Sequence, residues 1–428
     1  MQSSFCAAIV PALLLLVSPA HGSIDDRAAA RAIDAYTGPL AARGDLSGQL
    51  LVLRGGRVVA ERSFGKANLE LGTAVGPDTR FNIASVTKPM TAAIAIQLMT
   101  EKKMAIADSI ARWLPGFPKA DSIRVGDLLR HRSGIPHEIV PDSEMTRPYR
   151  AAEVVERGNG LKLDFPPGTR SSYSSGGYEV LARVLELVTD RTYDELAAER
   201  IFRPLGMTHT LHGDSRALMP GRASGYVPGA HGLENAPLQD FSALVGAGSI
   251  WSTARDVRRF VDAVIGGKLG EGVRRSFASD GHLDFNGRTG GFKTWAMWDS
   301  VSGVEAIFLG NVASGAPDAL KGDIFRILSG EAVTPPVPPV LRTDPTPIAE
   351  LRRWEGIYQI ENGPRLELRV RDGALYSNDW VMWPAQDGAM YSPRDYGVVR
   401  LVSGGDGRVT RLDWLQGLET YPAPRVGD

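Results

Sequence analysis

The chain holds a single cysteine, Cys6, inside its first apolar run, so neither a disulfide framework nor a cysteine-based metal centre is available. No run of five basic residues occurs, and the net charge is only −1, so nothing draws the chain toward nucleic acid or an anionic membrane. No serine stands in a G-x-S-x-G elbow, which removes the common esterase arrangement of serine, histidine and acid. The H-E-x-x-H helix of metallopeptidases is also missing. His209, His212 and Asp214 sit close together in "GMTHTLHGD", but in a loop without cysteine partners, so surface histidines explain them better than a metal site. No cofactor is implied. The partner left by these exclusions is a small molecule or a neutral polymer.

The chain's 428 residues, 43% of them apolar and 23% charged, fit a globular protein larger than one ordinary domain. "FCAAIVPALLLLVSPAHG" is uncharged and ends in small residues, so residues 1–22 are expected to be a cleaved export signal. A membrane anchor is the alternative, but Pro11 and Pro19 break the run and it is short for spanning. The expected location is therefore periplasmic or secreted, with no stable membrane span after cleavage.

Residues 23–332 are expected to form one large unit. "GQLLVLRGGRVVAERSFG" predicts two strands joined at Gly55-Gly56, a dipeptide suited to a tight hairpin. Met90 to Met99 is apolar on nearly every side, which predicts a buried helix. Short helical stretches follow to about Val264, and alternating runs return in "KTWAMWDS" and "VEAIFLGNVAS". Strands at both ends with helices between imply an α+β unit: an antiparallel sheet flanked by helices, with a helical lobe inserted. Residues 333–347 carry six prolines and read as a semi-rigid linker. Residues 348–428 hold short alternating runs between turn signals, which predicts a small all-β barrel or sandwich.

The chemistry is expected at "FNIASVTKPMTAAIAIQL". S-x-x-K occurs twice, but Gly65 parts Ser63 and Lys66 in a strand, where their side chains fall on opposite faces. Ser85 and Lys88 precede the buried helix, and a spacing of three puts both on one helix face. Pro89 is tolerated only in a first turn, which fixes Ser85 at the helix N-terminus, where free N–H groups favour an alkoxide. An ordinary ammonium is a free amine only about once in 2,500 at pH 7. Lys88 as base therefore needs burial or neighbouring cations, or it stays charged and lowers the proton affinity of another group. Tyr173, in "PPGTRSSYSSGGYEVLARVLE", is the candidate for that group, although an ordinary half-buried tyrosine is the plainer reading of it alone. In "NGRTGGFKTW", Arg288, Thr289, Gly290 and Gly291 are expected to open a strand, although the segment taken alone is just a turn. There the Gly291 N–H pairs with that of Ser85 as an oxyanion hole, and Arg288 binds a substrate carboxylate or holds Tyr173 anionic. Trp251, Trp295 and Trp298 are candidate cleft aromatics, with core packing the commoner alternative. His131 is expected to be structural.

The joint order of S-x-x-K, Tyr173 with Ser175 two residues on, and a basic-T-G segment resembles the serine β-lactamase and penicillin-binding superfamily. The nearest branches in pattern are class C β-lactamases, D-aminopeptidases and family VIII carboxylesterases. "LLRHRSGI", "ERIFRPLGMTHT" and "GSIWSTARDVRRF" look like recurring segments of that group, and the tail resembles its appended lipocalin-like domain. The resemblance implies a β-lactamase/transpeptidase-like fold and acyl transfer. Ser85 attacks a carbonyl, Lys88 and Tyr173 handle the proton, and Ser175, Arg288, Thr289, Gly290 and Gly291 bind substrate. That substrate would be an ester, a D-amino-acid amide, a peptidoglycan-derived peptide or a β-lactam. Two departures stand out. Ser175 replaces the usual Asn and lacks its amide, and Arg288 replaces the usual Lys or His. Both weigh more against β-lactam turnover than against hydrolysis. The rival reading is a binding protein that keeps the fold without turnover.

Overall fold

The computed structural model describes residues 24–405, 408–417 and 419–427, and it falls into two compact units. The signal expected over residues 1–22, with Cys6, lies outside the described residues.

The larger unit comprises Ser47–Gly225 and Asn235–Val312. Its frame is a five-stranded antiparallel sheet of β1 (Gly48–Arg54), β2 (Arg57–Phe64), β3 (His282–Thr289), β4 (Phe292–Asp299) and β5 (Val304–Gly310), in the order β3-β4-β5-β1-β2. The β1–β2 hairpin turns on Gly55 and Gly56 with φ of +55° and +76°, the left-handed backbone that glycine adopts without strain. A register shift at Val52/Leu53 lets one bulge accommodate the sheet's twist. β1 and β5 are buried almost throughout, and Gln49 faces Leu309 across them. This explains their near-continuous apolar sequences.

Between β2 and β3 the chain builds the helical lobe predicted from its sequence. Helix α1 (Thr87–Thr100) runs through the core with Met90, Ala93, Ile94 and Leu98 wholly buried. Helix α2 (Ser175–Thr189) packs beside it, capped by the Ser174 hydroxyl, which accepts the Gly177 N–H at 2.8 Å. Helix α3 (Ala254–Ile265) lies on the sheet, capped in the same way by Thr253. A short sheet of Phe81–Asn82, Ile250–Ser252 and Leu211–His212 ties the start of α1 to the segment before α3.

The smaller unit contains the tail as a closed eight-stranded antiparallel barrel. Tyr358, Leu368, Leu375, Val399, Leu412 and Ala423 fill its interior, and Ile357 of the first strand pairs with Gly427 of the last. The same unit holds the helices Asp26–Ala42 and Ala316–Ser329, joined by a 2.8 Å bond from the Tyr36 hydroxyl to Asp323. Part of the proline-rich segment is hydrogen-bonded to the barrel: Arg342 N–H donates to Pro384 and Gln386 N–H to Val340.

Candidate active site

Ser85 stands in a single 3₁₀ turn, Ala84–Val86, that runs straight into α1, with Lys88 and Pro89 in the first helical turn. Ala84 is left-handed at φ +48°, a conformation that costs a non-glycine residue roughly 1 kcal/mol or more and needs outside support. Asn82 supplies that support. It is wholly buried, its Oδ1 accepts the Ala84 N–H at 3.0 Å, and its Nδ2 donates to Gly248 O at 2.9 Å. The same Oδ1 accepts the Thr289 hydroxyl at 2.8 Å, so one amide holds the serine's turn against the end of β3. Thr294 Oγ1 adds a second tie, donating to Ile83 O at 2.9 Å. β3 approaches so closely that a Cβ at Gly287 would lie 2.6 Å from the Ile83 oxygen and 3.0 Å from the Ala84 Cβ.

Lys88 is 5% exposed, and three oxygens surround its Nζ: Ala247 O at 2.9 Å, Ser85 Oγ at 3.0 Å and Ser175 Oγ at 3.2 Å. The spacing of three therefore puts the lysine beneath the serine, and α2 brings Ser175 from the far side. Three acceptors match the three N–H bonds of an ammonium. An amine would donate to two of them and offer its lone pair to the third.

Tyr173 meets Lys88 through its ring, whose centroid lies 4.9 Å from Nζ. The tyrosine is half exposed, and two imidazoles hold its ring: His131 at 4.6 Å between centroids and His137, stacked, at 5.6 Å. His131 Nδ1 also accepts the Ser174 N–H at 3.2 Å, a backbone bond that stands alongside a contact with Tyr173 that sequence alone does not reveal. Burial, with the Lys88 cation adding to it, pushes both imidazoles down to about 4, so near neutral pH they are uncharged walls.

The third segment runs opposite to expectation. Arg288 and Thr289 close β3, and Gly290 and Gly291 form its hairpin into β4, with Gly291 at φ +76°. The turn that "NGRTGGFKTW" suggests when taken alone is the one that joins β3 to β4. Thr289 points its hydroxyl at Asn82, which commits its proton away from any ligand.

Trp251 and Trp295 are core residues rather than cleft walls, and Trp298 is partly buried against the core. Trp295 is 1% exposed and stacks on Phe308, and Trp251 packs edge-on against Phe292. His212 is tied to Ser249, Asp214 to Arg216, and no group of three potential metal ligands occurs among the described residues. Asn82, Ala247 and His137 are the participants that sequence reading missed. The first looks like any polar residue, the second acts through its backbone, and the third is linked to Tyr173 only by folding.

Comparison with known proteins bears on the family and the fold. The chain is 28% identical over 338 residues to penicillin-binding protein 4 of Amycolatopsis lactamdurans, covering 68% of this chain and 87% of that one. It is 31% identical over 223 residues to the penicillin-binding protein PbpX of Bacillus subtilis (strain 168), covering 52% of this chain and only 56%, about half, of PbpX. The crystal structure of D-amino acid amidase from Ochrobactrum anthropi SV3 with L-phenylalanine has the same fold, with a TM-score of 0.61 at 22% identity over 72% of this chain and 98% of that one. The family model described as Beta-lactamase matches residues 33–330, well over half of the sequence, and the chain belongs to that family.

Proposed function

We propose that this chain is a serine hydrolase working through an acyl-enzyme on Ser85, with Lys88 and Tyr173 moving the proton. The observation that carries the reading is the buried Lys88 Nζ joined to both Ser85 Oγ and Ser175 Oγ. As an amine, Lys88 takes the Ser85 proton while the oxygen attacks a carbonyl carbon. The N–H groups of Ser85 and Gly291 receive the oxyanion. The proton passes to the leaving group, and water then releases the acyl group. Tyr173, half exposed beside Lys88, carries the proton between lysine and leaving group. Arg288 serves as the fixed cation for a carboxylate-bearing substrate.

Short acyl esters and D-amino-acid amides rank above β-lactams as substrates. Ser175 has no amide to hold an acylamino carbonyl, and its hydroxyl is engaged by Lys88. A D-amino acid amidase among the structural neighbours fits this ranking. The test compares kcat/KM for p-nitrophenyl butyrate, a D-amino-acid amide and nitrocefin. Much faster turnover of nitrocefin than of the ester and the amide would reverse the order. An exported setting follows only from the N-terminal apolar run. Among the described residues no helix is long and apolar enough to cross a membrane.

Tyr173→Phe is expected to slow acylation by about 10²-fold, the scale of a lost proton-transfer group. Packing by Lys88, His131 and His137 keeps the ring in place, so this variant isolates the hydroxyl. A pre-steady-state burst at the wild-type rate would remove the phenol from the proton path.

A further inference from the structure

Gly290 and Gly291 stand side by side in the β3–β4 hairpin for different reasons. Gly291 is left-handed at φ +76°, a backbone that calls for a residue without a Cβ. Gly290 is not left-handed, yet a Cβ there would lie 2.4 Å from Gln239 Oε1 and 3.3 Å from the carbon of the same amide. A side-chain amide thus fills the space where any other residue at 290 would place its own side chain.

The chain on either side holds Gln239 at this spot. Asp240 is 3% exposed, and its N–H donates to Met145 O at 2.6 Å. Its carboxylate accepts the Ser215 N–H at 2.9 Å, the Ser242 N–H at 3.0 Å and the Ser242 hydroxyl at 2.6 Å. Further along, the same segment gives the Ala247 carbonyl to Lys88 and the Gly248 carbonyl to Asn82. One stretch, 239–248, therefore runs from the hairpin to the lysine and forms a wall of the site.

The orientation of the amide follows from Asp142, which takes a hydrogen bond from the Gln239 side chain. Burial raises the Asp142 carboxyl above its ordinary range, and this bond opposes the rise, as an N–H donated to the anion does. Only the NH₂ half of an amide can donate, so Nε2 points to Asp142 and Oε1 to Gly290. The carboxylate behind it polarises the amide and makes the oxygen a stronger acceptor. Such an oxygen attracts an ammonium and repels a carbonyl or a carboxylate.

In the acyl-enzyme on Ser85 the oxyanion meets the Gly291 N–H, and Gln239 lies at the adjoining residue. The substrate atoms set against it are those borne by the α-carbon of the acyl group. We propose that Gln239 is the specificity-determining residue for the acyl side: its Oε1 accepts an N–H of the α-ammonium of an amino-acid amide and favours that class over plain acyl compounds of the same shape. The inference rests on the acyl-transfer reading above. Ser175, which has no amide to hold an acylamino carbonyl, and Gln239, which presents an acceptor, both point away from acylated amines and toward free ones.

The experiment compares kcat/KM for D-alanine p-nitroanilide and propionic acid p-nitroanilide. The two share a leaving group and differ only in the α-amino group, and p-nitrophenyl butyrate checks hydrolysis itself. Wild type should favour the amino compound. In Gln239→Met, which keeps the chain length without the acceptor, that preference should fall at least about ten-fold, mostly through KM. The intrinsic reactivity of each anilide is the same for both enzymes and cancels in the comparison. Asp142→Asn keeps Gln239 and removes the charge behind it, and here the preference should fall at least about three-fold. A merely structural role would slow both anilides alike and leave their ratio in place. An unchanged ratio in Gln239→Met, or in Asp142→Asn where the methionine variant does not fold, would overturn the role of Gln239 and leave the hydrolase reading intact. So would a wild type that hydrolyses the ester and shows no preference for the amino compound. A wild type that turns over none of the three would overturn both.

Discussion

Ser85→Ala should abolish covalent labelling by a fluorophosphonate and lower ester turnover by about 10⁴-fold or more, the usual scale for a lost nucleophile. The expectation comes from how narrowly that oxygen is held. Ser85 follows a left-handed alanine, its turn is pinned by the buried Asn82, and its Oγ lies 3.0 Å from an amine nitrogen that is almost wholly enclosed. Among the described residues no other serine has this surrounding: Ser175 touches the same nitrogen but is the first residue of α2 rather than part of the turn beside β3. The substitution removes one exchangeable contact and should leave the fold intact. Thermal unfolding of the variant should therefore match wild type within a few degrees. Wild-type labelling that survives in Ser85→Ala would place the nucleophile elsewhere. A wild type that is never labelled would favour a binding protein built on the same fold.

Lys88→Ala should slow acylation by about 10²-fold or more. The loss has two parts. The serine loses its proton acceptor, and the Ala247 carbonyl loses a charge-capable donor inside the core. Lys88→Met separates them, since it restores bulk without a nitrogen. If both variants lose activity equally, the nitrogen matters and the packing does not. Recovery of most of the rate in the methionine variant would remove lysine as a base. Measuring KM beside kcat sharpens the result, because a proton-transfer group acts on kcat and kcat/KM together.

Much of this was legible in the chain. The S-x-x-K spacing, the proline that fixes it in a first turn, and the apolar helix behind it are local signals, and each reappears in α1. The Gly55-Gly56 hairpin and the barrel are equally local, resting on turn residues and alternation. What could not be read depends on contacts distant in sequence. Asn82 joins Ala84, Gly248 and Thr289, and only the folded chain brings those three together. The lysine's firmest acceptor is a backbone carbonyl, which every residue possesses. Arg288 to Gly291 read as the opening of a strand because a two-glycine hairpin within an alternating run leaves the period unbroken. Of the two readings open for the tryptophans, the commoner one, core packing, is what Trp251 and Trp295 adopt.

The way each unit is completed also sets when it can fold. β1 emerges early, yet one of its two neighbours is β5, made some 250 residues later, and the barrel's opening strand waits for the last residues before it can close. Until then each leaves an unsatisfied rim of backbone donors and acceptors, the kind of edge that seeks a partner in another molecule. Such high contact order slows folding and prolongs exposure. A nascent chain thus carries an unfinished sheet from β1 until β5 is made, and it has reason to be shielded over that interval.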